Sequence, residues 1–152
     1  MHKLKGQQLL SVEQMGYSYR SSALKRQPGD VVILAASLSV SKGKQSEIDA
    51  LMKENSARRR NTQPPGASMG SIFKNPAGDF AARLIQETGL KGTRVGGVEV
   101  SPIHANFMVN DGSGTAEDYH RLIILVREKV REHTGVTLEL EIEMLGFTQD
   151  QQ

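Results

Sequence analysis

The chain has 152 residues, with 19 Lys and Arg against 17 Asp and Glu for a net charge of +2, 38% hydrophobic and 5% aromatic residues, no Trp and no Cys. That length makes one domain of ordinary size, or one domain and a piece of another, and the near-balanced charge does not demand nucleic acid. Without cysteine there is no disulfide, thiolate metal site or cysteine nucleophile; no apolar run reaches membrane-spanning length and no signal-peptide core follows Lys3 and Lys5, so a soluble, cytoplasmic protein is expected.

Pro28-Gly29-Asp30 is turn chemistry, and the apolar run from Val31 to Val40 that follows predicts a strand, buried on both faces at first and half-exposed later. Ser46 is the expected N-cap of a helix with a modest stripe of Ile48, Leu51 and Met52, ending near Arg58. Prolines and glycines predict a loop over residues 61–71. Asp79 is expected to cap a short helix with Phe80, Leu84 and Ile85 on one face and Gly89 as its left-handed stop. Residues 95–100 and 106–109 read as strands separated by Ser101-Pro102-Ile103-His104.

Thr115 and Asp118 form a capping-box pattern, Tyr119, Leu122, Ile123, Val126 and Val130 recur at helical spacing, and Gly135 ends that helix. Strict alternation over residues 138–145 predicts a strand with one wet face. The expected fold class is therefore α+β, an antiparallel or mixed sheet with helices packed on one face. The boundary is expected at Ser41-Lys42-Gly43-Lys44, because the residues before it are too few to bury a good core.

The segment Met69-Gly70-Ser71-Ile72-Phe73-Lys74-Asn75-Pro76 gathers a tight turn, a hydroxyl, a cation and an amide. Ser71 either gives a proton or touches an anion, or it bonds its own backbone as a turn serine. Lys74 and Asn75 beside it suit a phosphate or carboxylate, and Pro76 pre-sets the turn before the next helix. Arg20, between two tyrosines and two serines, can offer a planar fork to a carboxylate or lie along the rings.

Glu139, Glu141 and Glu143 share one strand face, which is either solvated or holds one general acid/base in a pocket. Arg58-Arg59-Arg60 is explained by the dipole at a helix C-terminus, with salt-dependent RNA binding as the lesser reading. His104 has no His or carboxylate at ligand spacing, so no metal is expected, and the chain has neither a G-x-G-x-x-G nor a P-loop.

In order along the chain, Tyr17-Ser18-Tyr19-Arg20-Ser21-Ser22, Arg58 to Pro64, Gly70-Ser71-Ile72-Phe73-Lys74-Asn75-Pro76, Gly89-Leu90-Lys91-Gly92, Gly96-Gly97-Val98-Glu99-Val100, His104-Ala105-Asn106-Phe107, Asn110 and Leu138-x-x-Glu141-x-x-x-x-Gly146 resemble the C-terminal half of UDP-N-acetylenolpyruvoylglucosamine reductase, also called UDP-N-acetylmuramate dehydrogenase. The resemblance implies a flavoenzyme of peptidoglycan precursor synthesis, an oxidoreductase in which NADPH reduces FAD and the flavin passes hydride to an enolpyruvyl double bond. It implies Arg20 and Glu141 as stabilisers of the substrate carboxylate and Ser71 as the proton donor. It further implies Asn75 and His104 as contacts to the UDP-sugar and Gly70 at the cofactor.

On the same ground residues 1–41 resemble the tail of an FAD-binding domain, strand-rich, and residues 42–152 a substrate-binding domain. The glycine-rich loops that hold FAD in the family have no counterpart in the chain. Thr62 stands where some members carry a substrate-binding Lys, and the short link from Val40 to Ser46 fits the subgroup without a tyrosine-bearing loop. The expected partners are the UDP-sugar and the missing FAD-binding region, with little or no reductase activity in the chain alone. A non-catalytic UDP-sugar or partner-binding module is the alternative.

Overall fold

The computed structural model describes residues 6–26 and 31–147. The turn expected at Pro28-Gly29-Asp30, and Lys3 and Lys5, lie outside the described residues. The chain divides into two compact units, Met1–Lys42 and Gly43–Gln152.

In the first unit, helix α1 (Val12–Met15) is a single turn. Ser11 and Gln14 cap it reciprocally, and Gly16 closes it at φ +51°. A two-residue turn follows, in which Ser18 and Ser21 exchange backbone hydrogen bonds of 3.1 Å around Tyr19-Arg20. The run at residues 31–40 forms no strand; Val32, Leu38 and Val40 are 81%, 84% and 88% exposed. The pattern is strand-like, but a strand needs a neighbouring edge for its N–H and C=O groups, and the described residues of this unit supply none.

The second unit opens with α2 (Gln45–Thr62), whose N-cap is Lys44, without a side-chain cap, rather than Ser46. It outlasts the expected end at Arg58: the Thr62 hydroxyl donates to the Arg58 carbonyl at 2.8 Å, and Gln63 N–H donates to the Arg59 carbonyl at 2.9 Å. Gln63 then turns extended (φ −116°, ψ 143°), as the residue before Pro64 must to clear the proline ring. No residue of α2 is buried.

Four strands form one antiparallel sheet in the order β1-β4-β3-β2: β1 (Ala67–Ser71), β2 (Arg94–Val95), β3 (Val98–Val100) and β4 (Phe107–Asn110). The α+β architecture is the expected one, but three local expectations fail. Residues 67–71 are a strand, because β4 offers them an edge. The single strand expected over residues 95–100 is a hairpin, turned at Gly96-Gly97. There a Cβ on Gly97 would collide with the backbone of Gly114, so only glycine lets the two loops close up. The strand expected over residues 138–145 shortens to one antiparallel bridge, Leu140 with Phe73.

Helix α3 (Ala81–Glu87) buries Ala81, Leu84 and Ile85. Phe80, expected on that face, is its N-cap and stands 65% exposed. Asp79 does not cap from the N-cap position; its carboxylate accepts the Phe80 N–H and pairs with Arg83. Helix α4 (Ala116–Thr134) begins at the expected Thr115–Asp118 capping box and ends at Gly135, φ +74°. Its face of Leu122, Ile123, Val126 and Val130 is buried with Ile72, Phe73, Val98, Val100 and Leu138 in one core. Each such side chain contributes about 1.5–3 kcal/mol on burial.

Candidate functional site

The segment that carries Ser71 is shaped by a defect in β1. Ala67 faces Asn110 and Ser68 faces Val109, but Ser71 faces Phe107, so β1 holds one extra residue between Ser68 and Ser71. Gly70 takes the left-handed conformation there, φ +79°. A bulge of this kind re-aims the side chain after it. It sets Ser71 on the face of Ser68, Val109 and Phe107, half-buried, where an unbroken ladder would have placed Gly70 opposite Phe107.

Asn106, 4% exposed, then locks the chain immediately beyond Ser71. Its backbone carbonyl accepts from Ile72 N–H at 2.9 Å. Its side-chain Oδ1 accepts from Phe73 N–H at 2.9 Å, and its Nδ2 donates to the Phe73 carbonyl at 2.8 Å. In the sequence Asn106 lies within His104-Ala105-Asn106-Phe107 with no role legible from its neighbours. A polar residue beside a turn reads as turn chemistry, and no local spacing shows an amide bonded to a backbone 33 residues away.

Glu141 sits on the other side of the same segment. Its N–H donates to the Ile72 carbonyl at 2.9 Å, and Lys74 N–H donates to the Glu139 carbonyl at 2.8 Å. Ser71 and Glu141 thus belong to neighbouring backbone strands. Of the three alternating glutamates, Glu139 and Glu143 are exposed and Glu141 is half-buried. The ring of Phe147 lies 4.9 Å from that of His120, which fastens the end of this segment to α4.

The cation of Lys74 is not simply presented to a ligand. Its Nζ pairs with Glu139 Oε2 at 3.1 Å, and both line an open groove of about 480 Å³ with Arg127, Glu143 and Leu145. Asn75 is exposed, and its Oδ1 accepts from Ala81 N–H at 3.1 Å, which makes it a cap of α3. Pro76 carries the turn into α3, its carbonyl accepting from Asp79 N–H at 3.3 Å.

His104 is half-buried and its ring meets Phe107 edge-on at 4.7 Å. Its Nδ1 accepts from Asn106 N–H at 3.3 Å, so the neutral ring carries its proton on Nε2. Burial holds its pKa below the ordinary value, with the charge of Lys91 as a smaller cause. The turn beneath it is held by Ser101, fully buried, whose Oγ accepts from the N–H groups of Ile103 and His104 at 3.1 and 3.2 Å.

Arg20 belongs to the other unit. It is exposed, its guanidinium lies 5.4 Å from the centre of the Tyr19 ring, and its backbone has φ +54°. A left-handed arginine costs about 1–2 kcal/mol and is the kind of strain that gathers at functional turns.

Among the described residues no group of three or more His, Asp or Glu side chains stands close enough to hold a metal, and no helix is long and apolar enough to cross a membrane. A flavin dinucleotide needs a walled groove with backbone N–H groups turned on its pyrophosphate. Residues 6–26 and 31–42 bury no side chain, so they do not by themselves fit FAD. Gly70, with open space where a Cβ would stand, offers a flat ring an approach to the backbone, which is a single contact.

The family model for the C-terminal domain of UDP-N-acetylenolpyruvoylglucosamine reductase matches residues 61–145. A UDP-N-acetylenolpyruvoylglucosamine reductase from Rubrobacter xylanophilus is 48% identical over 134 residues, 88% of this chain and 45% of that protein. One from Chloroflexus aurantiacus is 43% identical over 138 residues, 89% of this chain and 46% of that protein. The crystal structure of UDP-N-acetylenolpyruvylglucosamine reductase from Thermus caldophilus superposes with a TM-score of 0.71 at 39% identity, over 86% of this chain and 46% of that one. The chain spans about half the length of the curated relatives it matches. On these matches, the chain belongs to the UDP-N-acetylenolpyruvoylglucosamine reductase family.

Proposed function

We propose that residues 42–152 are the substrate-binding domain of a reductase that converts UDP-N-acetylglucosamine enolpyruvate to UDP-N-acetylmuramate, a step of peptidoglycan synthesis. Residues 1–41 are then the tail of its FAD-binding domain. Reduction adds one hydride and one proton across the enolpyruvyl double bond. FAD, reduced by NADPH, supplies the hydride in this family, and flavin binding falls chiefly to the half of the relatives that this chain does not span. The proton is the task of Ser71.

The observation that carries this reading is the Gly70 bulge, which turns the Ser71 hydroxyl onto one face of a strand end that Asn106 and Glu141 hold from both sides. A serine hydroxyl is a weak acid, so it gives a proton usefully only from a fixed position. Negative charge gathers on the substrate carboxylate as hydride arrives. Arg20 then stabilises it with a planar cation worth most in the transition state, and Glu141 acts at the same carboxylate. His104 presents an Nε2–H donor and Asn75 an amide to the UDP-sugar. A second reading, a UDP-sugar-binding module without catalysis, draws on the second unit having its own core around Ser71 and His104.

The test combines the chain with the first half of the Rubrobacter xylanophilus relative. The chain alone is expected to be colourless, and the combination to turn over NADPH, beyond the one equivalent that reduces its flavin, only when the enolpyruvyl UDP-sugar is added. Stoichiometric FAD and NADPH oxidation in the chain alone would overturn the division of labour. A flavin-loaded combination that binds the UDP-sugar without oxidising NADPH would favour the binding module.

A further inference from the structure

We infer that Asn106 is a positioning residue that sets Ser71 and His104 in one frame; the inference rests on the reading of Ser71 as proton donor. Four hydrogen bonds converge on this one residue. Its side-chain amide makes two to the Phe73 backbone, at 2.9 and 2.8 Å, and its carbonyl takes the Ile72 N–H at 2.9 Å. Its own N–H goes to His104 Nδ1 at 3.3 Å. Both neighbours of the frame also share Phe107, which faces Ser71 across the sheet and touches the His104 ring.

The arrangement answers a specific need. The Gly70 bulge breaks the β1–β4 ladder, and a broken ladder leaves the residues after it free to shift. The Asn106 side chain replaces the missing rungs, one donor and one acceptor, in a buried setting where both bonds must be made. An amide supplies both at once; a carboxylate accepts only, and an apolar side chain supplies neither. Holding the segment fixes where the Ser71 hydroxyl stands, and fixing Nδ1 as an acceptor fixes Nε2 of His104 as a donor.

The experiment follows amide hydrogen exchange and the Ser71 Cβ resonance in the native chain, Asn106→Leu and Asn106→Asp, with NADPH oxidation measured in the combination described above. Loss of the bonds in Asn106→Leu is expected to speed exchange at Phe73 at least ~10-fold more than at Val98 or Val126, and to move the Ser71 resonance. It is expected to lower kcat at least ~10-fold with KM within ~3-fold. Asn106→Asp loses one of the two bonds at neutral pH, where its carboxylate still accepts the Phe73 N–H but cannot donate to the Phe73 carbonyl. It recovers as acid protonates that carboxyl, and Asn106→Leu does not.

If exchange rises equally at Phe73, Val98 and Val126, or if kcat is unchanged although Phe73 is loosened, the inference is overturned. Should Asn106→Leu fail to fold, the acid recovery of Asn106→Asp decides, and its absence counts against the inference. A native combination that oxidises no NADPH removes the reductase reading. A local loosening at Phe73 that moves the Ser71 resonance still upholds the frame, and loosening without that shift refutes it.

Discussion

The two units of this chain use apolar residues in opposite ways. In the second, Ile72, Phe73, Val98, Val100, Leu122 and Val126 are buried at 0–1% exposure, and the sheet and α4 close over them. In the first, the run at residues 31–40 is as apolar but stays exposed. Helix α2 behaves like the first unit although it lies in the second, burying nothing along Ile48, Leu51 and Met52. Hydrophobicity alone therefore did not decide burial; a partner surface did. The candidate residues divide along the same line, with Ser71, His104 and Glu141 held by the core and Arg20 on an exposed turn.

The largest expected effect is catalytic. Ser71→Ala in the combination with the flavin half should lower turnover by about 10²–10⁴-fold with the folding midpoint unmoved. Ser68→Ala, on the same face but before the bulge, should change neither, and steady-state NADPH oxidation with a thermal melt measures both. Equal losses at the two serines would break the claim that the bulge selects Ser71.

Stability comes next. Phe73→Ala should cost about 3–5 kcal/mol in urea unfolding of the chain, while Val32→Ala and Leu34→Ala should stay within about 0.5 kcal/mol. A loss above about 1 kcal/mol at Val32 or Leu34 would mean that the run is packed after all. Thr115→Ala, which removes the acceptor of Asp118 N–H at the start of α4, should cost about 1 kcal/mol by the same measurement.

The smallest effect is on acid stability. Asp111 is lowered from 3.8 to about 2, first by its hydrogen bonds from Ser113 and then by Arg94; Asp79 is lowered from 3.8 to about 2, first by Arg83 and then by the Phe80 N–H. Folded values below the ordinary one mean that the unfolded chain binds more protons in this window. The contribution is full above about pH 3.8 and is lost as pH falls through about 2. Both groups reach solvent, so Asp111→Asn should only slightly flatten the fall of the urea midpoint between those values.

Periodic and self-contained signals were legible in the sequence. The capping box at Thr115, the buried stripe of α4 and the stop at Gly135 need nothing from elsewhere in the chain. Ser71 stands out in its own segment as a proton donor, an anion contact or a turn serine, and the resemblance chooses among these; Glu141 is singled out by resemblance alone, since alternation over residues 138–145 leaves three glutamates alike. What stayed hidden depends on distant partners: β1 pairs with β4 only once the sheet exists, Asn106 reaches across the chain to Phe73, and residues 31–40 have a strand's pattern without an edge to join among the described residues of their unit. Asn75 was read as a ligand contact, and its Oδ1 also caps α3, a use that local sequence does not reveal.

Calorimetric titration of the chain, without flavin, with UDP-N-acetylglucosamine enolpyruvate tests the substrate-binding reading most directly. The expected result is one site with a Kd below about 1 mM, equivalent to at least ~4 kcal/mol, weakened when His104→Ala removes the Nε2 donor. No binding heat at that concentration, or binding that His104→Ala leaves untouched, would contradict a UDP-sugar site on this frame.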